Sequence, residues 1–271
     1  MQKQTSTHNG GPRLDLKDGL FSKTRAESLH SRPEITSTCL LGEPNVNHSK
    51  FYIKSTWERP DERLLEAFGN LSTAIVSDAL GYGVGTLRSS IRPIFECPTF
   101  VGPALPVTVA AHDILAVHAA TRFARRGDVM MIATNDNSTA AVVGQRTVEL
   151  LKSKGIVSVV TDGAVRDLDA LRDGGFPVYA NAISPGIPGK RGGGFIGFPI
   201  ALGGVAISAG DIVIGDRDGV VSIPLAIARE VLEAVTRAER IEEDLAQSIA
   251  MVEREPAYIS DALLSENVVY V

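Results

Sequence analysis

The chain has 271 residues, of which 44% are hydrophobic and 22% charged, and its formal net charge at pH 7 is −5. This composition is typical of a globular protein, its acidic balance excludes a general attraction to nucleic acid or anionic membranes, and no stretch approaches the roughly 20 apolar residues that span a bilayer. The first residues lack the apolar core of a secretory signal, and Cys39 and Cys97 cannot build a disulfide framework, so we expect a cytoplasmic protein.

The chain is predicted to consist of one folded domain with two irregular ends. The first 55 residues are polar, and glycine and proline breakers interrupt any apolar periodicity there. We therefore expect residues 1–55 to form a flexible or partner-wrapping N-terminal extension. A single domain is predicted over residues 56–255, followed by a C-terminal tail over residues 256–271.

Strands and helices alternate along the predicted domain. A helical turn near residues 64–68 precedes a helix that has Ser72 as its N-cap and Gly81 as its stop. The central elements predicted from apolar periodicity are a strand at 100–110, a helix at 113–126, a strand at 128–133, a helix at 140–154, a strand from 157, a helix at 168–173 and a strand at 177–180. Short strands then cluster at 205–208, 212–214 and 220–223, and Pro224 opens a long final helix. This order predicts a layered α/β core with mixed strand pairing.

The stretch from Val157 to Asp167 is the richest in chemistry. Its β-branched run predicts a buried strand, Asp162-Gly163 predicts a turn, and Arg166-Asp167 follow just beyond the strand's end. Ligands gather at the carboxyl ends of strands in α/β sheets. A guanidinium beside a carboxylate there offers an anion clamp and a ligand for a hard metal ion side by side. The alternative interpretation is an ordinary surface ion pair.

A second candidate lies at residues 143–147, where a polar loop gives way to a helix. If the helix begins near Gly144, its free backbone N–H groups form a cradle for a carboxylate. On composition alone, a continuous helix with Gly144 as a packing glycine is equally consistent with the sequence.

Several other motifs are weaker. His112 and His118 are six residues apart and fall on different faces of a helix, so a zinc site is excluded and core or capping roles are favoured. Residues 192–197 match the GxGxxG fingerprint of dinucleotide-binding sites, but Phe198-Pro199 follow where the helix of such a site must begin. We therefore reject a dinucleotide site. Gly189-Lys190-Arg191 are consistent with anion binding or with a mobile basic loop, and we favour the loop.

An ordered series of short motifs runs from about residue 60 to about residue 255. Its members are Ser72–Ala79, Gly127–Val129, Gly144, Thr161–Asp167, Gly175–Val178, Lys190–Gly192 and the glycine-rich series from Gly203 to Pro224. The series resembles the RraA-like / class II 4-hydroxy-4-methyl-2-oxoglutarate aldolase family. The resemblance implies the RraA-like, swivelling-domain type of fold, a layered α/β/α-type sandwich with a mixed sheet and a long C-terminal helix.

The resemblance also implies an activity. Aldolases of this family are divalent-metal-dependent lyases that cleave a 4-hydroxy-2-oxo acid, such as 4-hydroxy-4-methyl-2-oxoglutarate or 4-carboxy-4-hydroxy-2-oxoadipate, to pyruvate, with oxaloacetate decarboxylation as a side activity. By motif, Arg166 is expected to bind substrate and stabilise the enolate, and Asp167 to coordinate Mg²⁺ or Mn²⁺. The residues implied to bind the 2-oxo acid carboxylate are Gly144, Gln145, Arg146 and Thr147. Sites between subunits, and hence a homotrimer or homohexamer, are implied as well.

Two positions depart from the pattern that the resemblance implies. Gln145 stands where an acidic residue is expected, and Ala170 stands where Asp or Glu is frequent. They predict either a changed substrate or a weakened aldolase. The alternative function is that of a non-catalytic RraA-type regulator that binds a ribonuclease or another protein partner. Retention of Arg166 and Asp167 together favours the enzyme, and neither nucleic acid nor membrane is expected as a partner.

Overall fold

The computed structural model describes residues 49–81, 83–250 and 257–264. Residues 1–48, which make up most of the predicted N-terminal extension, lie outside the described residues. Of the predicted tail, residues 257–264 are described, and Ala257–Leu263 form helix α7. No helix in the described ranges is both long and apolar enough to cross a membrane.

A ten-stranded mixed sheet organises the fold. Its main path runs in the order β1 (Phe51–Ile53), β8 (Gly194–Ile196), β3 (Phe100–Val109), β4 (Val129–Ala133), β6 (Ser158–Val165), β7 (Val178–Ile183) and β2 (Arg92–Pro93). Beside this path lie β5 (Ala141–Val143) and the hairpin of β11 (Ile212–Gly215) and β12 (Val220–Ile223), while β9 (Ile200–Leu202) and β10 (Val205–Ile207) form a separate pair. Strands β3, β4, β6 and β7 are parallel, whereas β8 and β2 pair antiparallel with β3 and β7. The prediction of a mixed α/β sheet is confirmed.

Within the described ranges, six further helices pack around the sheet. They are α1 (Glu62–Gly69), α2 (Thr73–Leu80), α3 (Leu115–Ala120), α4 (Gln145–Ser153), α5 (Leu168–Asp173) and α6 (Ala228–Ala250). The predicted cap of α2 is confirmed, because the Ser72 hydroxyl accepts a hydrogen bond of 3.3 Å from the Ile75 N–H. A short 3₁₀ turn, Leu225–Ile227, separates Pro224 from the long helix α6.

The core has two layers because successive strand residues point to opposite faces. In β4, Met130 and Ile132 pack against helices α3, α4 and α5, whereas Val129 and Met131 pack on the face that β9 and β10 cover. All five residues of β4 are buried, which explains its continuous apolar run. A third cluster joins α1, α2 and α6 to the β11–β12 hairpin. The central parallel strands are therefore rigid supports for the loops at their carboxyl ends.

The structure corrects one predicted turn. Asp162 and Gly163 lie inside β6, at an irregularity in its register, and not between the strand and the Arg166-Asp167 pair. The buried Asp162 carboxylate accepts hydrogen bonds from the Thr134 N–H (2.7 Å) and hydroxyl (2.8 Å). A Cβ on Gly163 would lie 2.7 Å from Thr134 Cγ2. Both residues therefore serve to hold the loop after β4 closely against β6, and the strand continues to Val165.

Two predicted helix boundaries also change. The predicted helix at 140–154 is divided into strand β5 and helix α4, because residues 141–143 pair with the end of β6. The predicted helix at 113–126 is regular only over Leu115–Ala120. Phe51–Ile53, which belong to the predicted extension, form β1 by parallel pairing with β8.

Candidate active site

The Arg166-Asp167 pair lies at the junction of β6 and α5. All eight residues of β6 are buried, and the backbone turns directly after it because Asp167 adopts a left-handed conformation (φ 65°, ψ 42°). This conformation is uncommon for residues other than glycine, and aspartate and asparagine tolerate it best. The Arg166 N–H donates to the Val143 carbonyl at 3.0 Å, so the turn is fixed against the end of β5.

Helix α4 begins beside this turn. Gly144 is its N-cap and has an extended backbone (φ −149°, ψ −177°), so its role is steric and not conformational. A Cβ at this position would lie 2.7 Å from Asp167 Oδ2 and 3.2 Å from Arg166 Nε. The Gln145 N–H, the first of the helix, donates to Asp167 Oδ2 at 3.1 Å. The interpretation in which a helix begins near Gly144 is therefore confirmed, and the continuous helix is wrong.

Arg166 and Asp167 form a loose and partly exposed pair. Arg166 Nε lies 3.6 Å from Asp167 Oδ2, and the two side chains are 39% and 40% exposed. An ion pair with this exposure adds little to stability. Both side chains are therefore accessible to a ligand that approaches the end of the sheet.

The side chains of Gln145 and Arg146 turn along the outside of α4. Gln145 Nε2 donates to Glu149 Oε1, and Arg146 Nη1 donates to Glu149 Oε2, each at 2.9 Å. Hydrogen bonding from Arg146 lowers the pKa of the Glu149 carboxyl. Both residues were predicted to bind the substrate carboxylate. Their side chains bond Glu149 instead, and the backbone N–H of Gln145 contacts Asp167. Glu149 was not singled out from the sequence, although its spacing of three and four residues from Arg146 and Gln145 is the signal for such pairs on a helix.

Thr147 points inward and contacts a histidine that belongs to α3. The residue is 4% exposed, and its hydroxyl lies 3.5 Å from His118 Nε2. Burial, together with the charge of Lys190, lowers the pKa of His118, whereas Asp113 acts in the opposite direction. Burial thus favours the neutral form of His118. The sequence favoured a core or capping role for His118 and did not predict its contact with Thr147.

The loop at residues 189–192 is tied to the start of α3. The Asp113 carboxylate, whose residue is 6% exposed, accepts hydrogen bonds of 2.8 Å from the N–H groups of both Arg191 and Gly192. A Cβ on Gly192 would lie 2.8 Å from Asp113 Cγ, which requires glycine there. The favoured interpretation of a mobile basic loop is wrong, because backbone hydrogen bonds with His112 and Ile114 hold Gly189, and the buried Asp113 carboxylate holds the residues after Lys190.

Comparisons with known proteins identify the family. A family model described as Aldolase/RraA, RraA-like, matches residues 73–222. The chain belongs to the RraA-like family. The matched range includes the Gly144 cap, the Arg166-Asp167 turn and the loop that carries Lys190.

Sequence relatives of this RraA-like chain include proteins from bacteria and archaea. A protein of Halalkalibacterium halodurans, which carries the provisional name 4-hydroxy-4-methyl-2-oxoglutarate aldolase, is 37% identical over 183 residues, or 68% of this chain and 87% of that one. An uncharacterised protein of Methanocaldococcus jannaschii is 28% identical over 189 residues, or 69% of this chain and 89% of that one.

Solved structures share the RraA-like fold. RraAS2 of Streptomyces coelicolor, described as an unusual member of the RNase ES inhibitor RraA protein family, superposes with a TM-score of 0.61 at 24% identity, covering 70% of this chain and 100% of that one. An uncharacterised protein of Pseudomonas syringae pv. tomato gives a TM-score of 0.63 at 21% identity, covering 73% and 97%. These likenesses show the fold.

The donor set at Asp167 suits a hydrated divalent cation. The two contacts of the Asp167 carboxylate in the described part of the chain, with the Gln145 N–H and with Arg166 Nε, both use Oδ2, which leaves Oδ1 for a cation. No group of three or more His, Cys, Asp or Glu side chains that could hold a metal ion occurs in the described ranges. One anchoring carboxylate, with substrate and water in the other positions, is how proteins often bind Mg²⁺. The described residues therefore fit one-carboxylate anchoring of Mg²⁺ or Mn²⁺ and, among themselves, do not fit an all-protein metal cage.

Proposed function

We propose that this RraA-like protein is a divalent-metal-dependent lyase that cleaves a 4-hydroxy-2-oxo acid to pyruvate. The acid is of the 4-hydroxy-4-methyl-2-oxoglutarate or 4-carboxy-4-hydroxy-2-oxoadipate type, and oxaloacetate decarboxylation is a side activity. The observation that carries the proposal is the convergence of Arg166, Asp167 and the first turn of α4 at the end of the central strands. The name of the Halalkalibacterium halodurans relative supports the same reaction class.

The first turn of α4 is assigned to the substrate carboxylate. The Gln145 N–H is directed at Asp167, and the next two N–H groups, of Arg146 and Thr147, have no carbonyl within their own helix to bond. Those two groups and the positive end of the helix dipole favour an anion. Gly144 keeps this approach open because it has no side chain.

We assign Arg166 the role of stabilising the negative charge that develops on the keto oxygen during the reaction. In retro-aldol cleavage the 4-hydroxyl gives its proton to water, the C3–C4 bond breaks, C4 becomes a carbonyl, and the bonding electrons pass into the enolate of pyruvate. The enolate then takes a proton from water at C3 to give pyruvate. Decarboxylation of oxaloacetate produces the same enolate. Asp167 would hold the divalent ion, which would supply Lewis-acid stabilisation of the keto oxygen. The Arg166 guanidinium, which lies 3.6 Å from Asp167 Oδ2, stabilises the same oxygen as it becomes negative.

The direct test is pyruvate release from oxaloacetate and from 4-hydroxy-4-methyl-2-oxoglutarate. We expect release with Mg²⁺ or Mn²⁺, none with EDTA, and loss of at least about 10²-fold in kcat/KM for Asp167→Asn, since the variant lacks the anchoring charge. The matched control is Asp169→Asn, because Asp169 lies on α5 two residues after Asp167, is 94% exposed and contacts Arg172. That variant is expected to keep wild-type activity.

Two outcomes would count against the lyase. Equal activity in EDTA and in Mn²⁺ would contradict the metal dependence. A complete lack of pyruvate release from either acid, by folded protein that binds Mn²⁺, would favour the alternative of a non-catalytic RraA-type regulator, and affinity purification of its protein partner would be the next experiment.

A second prediction concerns Gly144. The Gly144→Ala variant places a methyl group 2.7 Å from Asp167 Oδ2, so we expect Mn²⁺ affinity to fall about 10-fold, whereas the free energy of unfolding changes by about 1 kcal/mol or less because the backbone is extended. Calorimetric titration and thermal unfolding measure the two effects. Gly174→Ala at the end of α5 is the control, since its nearest contact is 3.2 Å. Wild-type Mn²⁺ affinity in Gly144→Ala would refute the steric role.

A further inference from the structure

We infer that His118 is a positioning residue that holds the first turn of α4 in place for carboxylate binding. The inference rests on the proposed function and concerns the same site. His118 is on α3 and is half-buried, with Nε2 3.5 Å from the Thr147 hydroxyl. Thr147 is the third residue of α4 and has almost no exposed surface. The contact therefore joins the interior side of the cradle to a neighbouring helix.

The element that carries His118 is itself firmly anchored. Asp113 lies just before α3, and its carboxylate accepts from the Leu115 N–H at 2.7 Å, at the start of the helix. The same carboxylate accepts from Arg191 and Gly192 of the basic loop. Helix α3 is thus a fixed support with two connections, one through Asp113 to the loop that carries Lys190 and one through His118 to α4.

The chemistry of His118 suits an uncharged connection. A neutral imidazole can accept from the Thr147 hydroxyl or donate to it, and it adds no second positive charge beside Lys190. An arginine or lysine at position 118 would repel Lys190, and an aliphatic side chain would leave the buried Thr147 hydroxyl without this partner. Because Thr147 follows Gly144 within one turn, a displaced Thr147 moves the backbone N–H groups that face the substrate carboxylate.

The expected signature is a loss of anion affinity that leaves the metal in place. Oxalate is the probe, since it presents a carboxylate and mimics the planar enolate of pyruvate. With Mn²⁺-loaded protein, we expect His118→Leu and Thr147→Val each to weaken oxalate binding about 10-fold, the effect of one hydrogen bond. The double variant should also be about 10-fold weaker and not 100-fold, because both substitutions remove the same contact.

Further readouts separate positioning from general damage. Mn²⁺ affinity should stay within about two-fold of wild type in both single variants, and in turnover assays KM should rise while kcat changes by less than about three-fold. His118→Gln, whose amide reaches the position of Nε2, should restore oxalate affinity to within about three-fold of wild type. Thermal unfolding of each variant verifies that it is folded.

The inference and the proposed function fail in different ways. If wild-type protein releases pyruvate but His118→Leu binds oxalate as wild type does, or the two substitutions are additive, the positioning role is overturned and the lyase stands. An equal fall in Mn²⁺ and oxalate affinity likewise overturns it. If wild-type protein neither binds oxalate nor releases pyruvate, the proposed function falls and takes this inference with it.

Discussion

Replacing Arg166 with methionine is expected to lower kcat for pyruvate release by about 10²–10³-fold, the usual effect of losing one group that stabilises a developing oxyanion. Methionine keeps much of the apolar stem and removes the guanidinium. The pair with Asp167 is long, at 3.6 Å, and partly exposed, so Mn²⁺ binding at Asp167 should persist. The expected result is therefore a protein that still binds metal but has lost turnover, measured by Mn²⁺ titration beside a coupled pyruvate assay.

Arg172→Met is the matched control for this variant. Arg172 lies on α5, the helix that follows Asp167, is 59% exposed and pairs with Asp169, so the same substitution there should leave kcat unchanged. Arg166→Lys should recover part of the lost activity, because it restores the charge without the planar fork. Wild-type turnover in Arg166→Met would show that the guanidinium does not act on the reacting oxygen.

The largest effect on stability is expected from Arg59→Met. Arg59 crosses from the segment before α1 to an ion pair with Asp128, whose side chain is completely buried at the start of β4. Asp128 also accepts from the Arg125 N–H at 2.8 Å. Removal of Arg59 leaves a buried carboxylate without its counter-charge, which typically costs 3–5 kcal/mol. Urea unfolding followed by circular dichroism measures the loss.

Two companion variants give this prediction its controls. The double variant Arg59→Met/Asp128→Asn should regain most of the lost free energy, because no buried charge remains. Arg88→Met breaks an ion pair with Asp136 in which both side chains are exposed (39% and 54%), and it should cost less than about 1 kcal/mol. A similar cost for Arg59→Met and Arg88→Met would refute the importance of burial.

The effect of Arg59→Met should also depend on pH. Burial raises the pKa of the Asp128 carboxyl, and the hydrogen bond and charge of Arg59 oppose that rise. A carboxyl with a raised pKa stays protonated to a higher pH in the folded state than in the unfolded state. The free energy of unfolding therefore falls as pH rises. Without Arg59, the pKa of Asp128 is raised further. The destabilisation should therefore be greater at pH 8 than at pH 5, and an equal or smaller loss at pH 8 would contradict this assignment.

Local patterns in the sequence were sufficient for most elements of the fold. The cap at Ser72, the buried runs of β4 and β6 and the long amphipathic helix α6 were predicted, because capping and apolar periodicity depend on residues only a few positions apart. The place of Arg166-Asp167 just after a buried strand followed from the same signals. The family was recognised from motifs whose order along the chain needs no tertiary information, and the family model confirms it.

Turn signals were the weakest guide. Asp162-Gly163 is a common turn pair, yet both residues continue a strand, since the Asp162 carboxylate is used by Thr134 and Gly163 makes room for the same residue. The start of α4 was undecided for a related reason. A glycine in an apolar segment is compatible with a helix interior or with a cap, and pairing of β5 with β6 decides between them.

The sequence by itself thus determined the class of fold, the family and the two side chains, Arg166 and Asp167, on which the proposed chemistry rests. Only the tertiary structure decided how the site is assembled. It placed Gly144 against Asp167, joined Thr147 to His118 and tied the loop before Gly192 to Asp113. Each of these contacts connects residues that are far apart in the chain and were brought together by the order of strands in the sheet. Neither helical nor strand periodicity carries that information, because both describe neighbours along the chain and not across it.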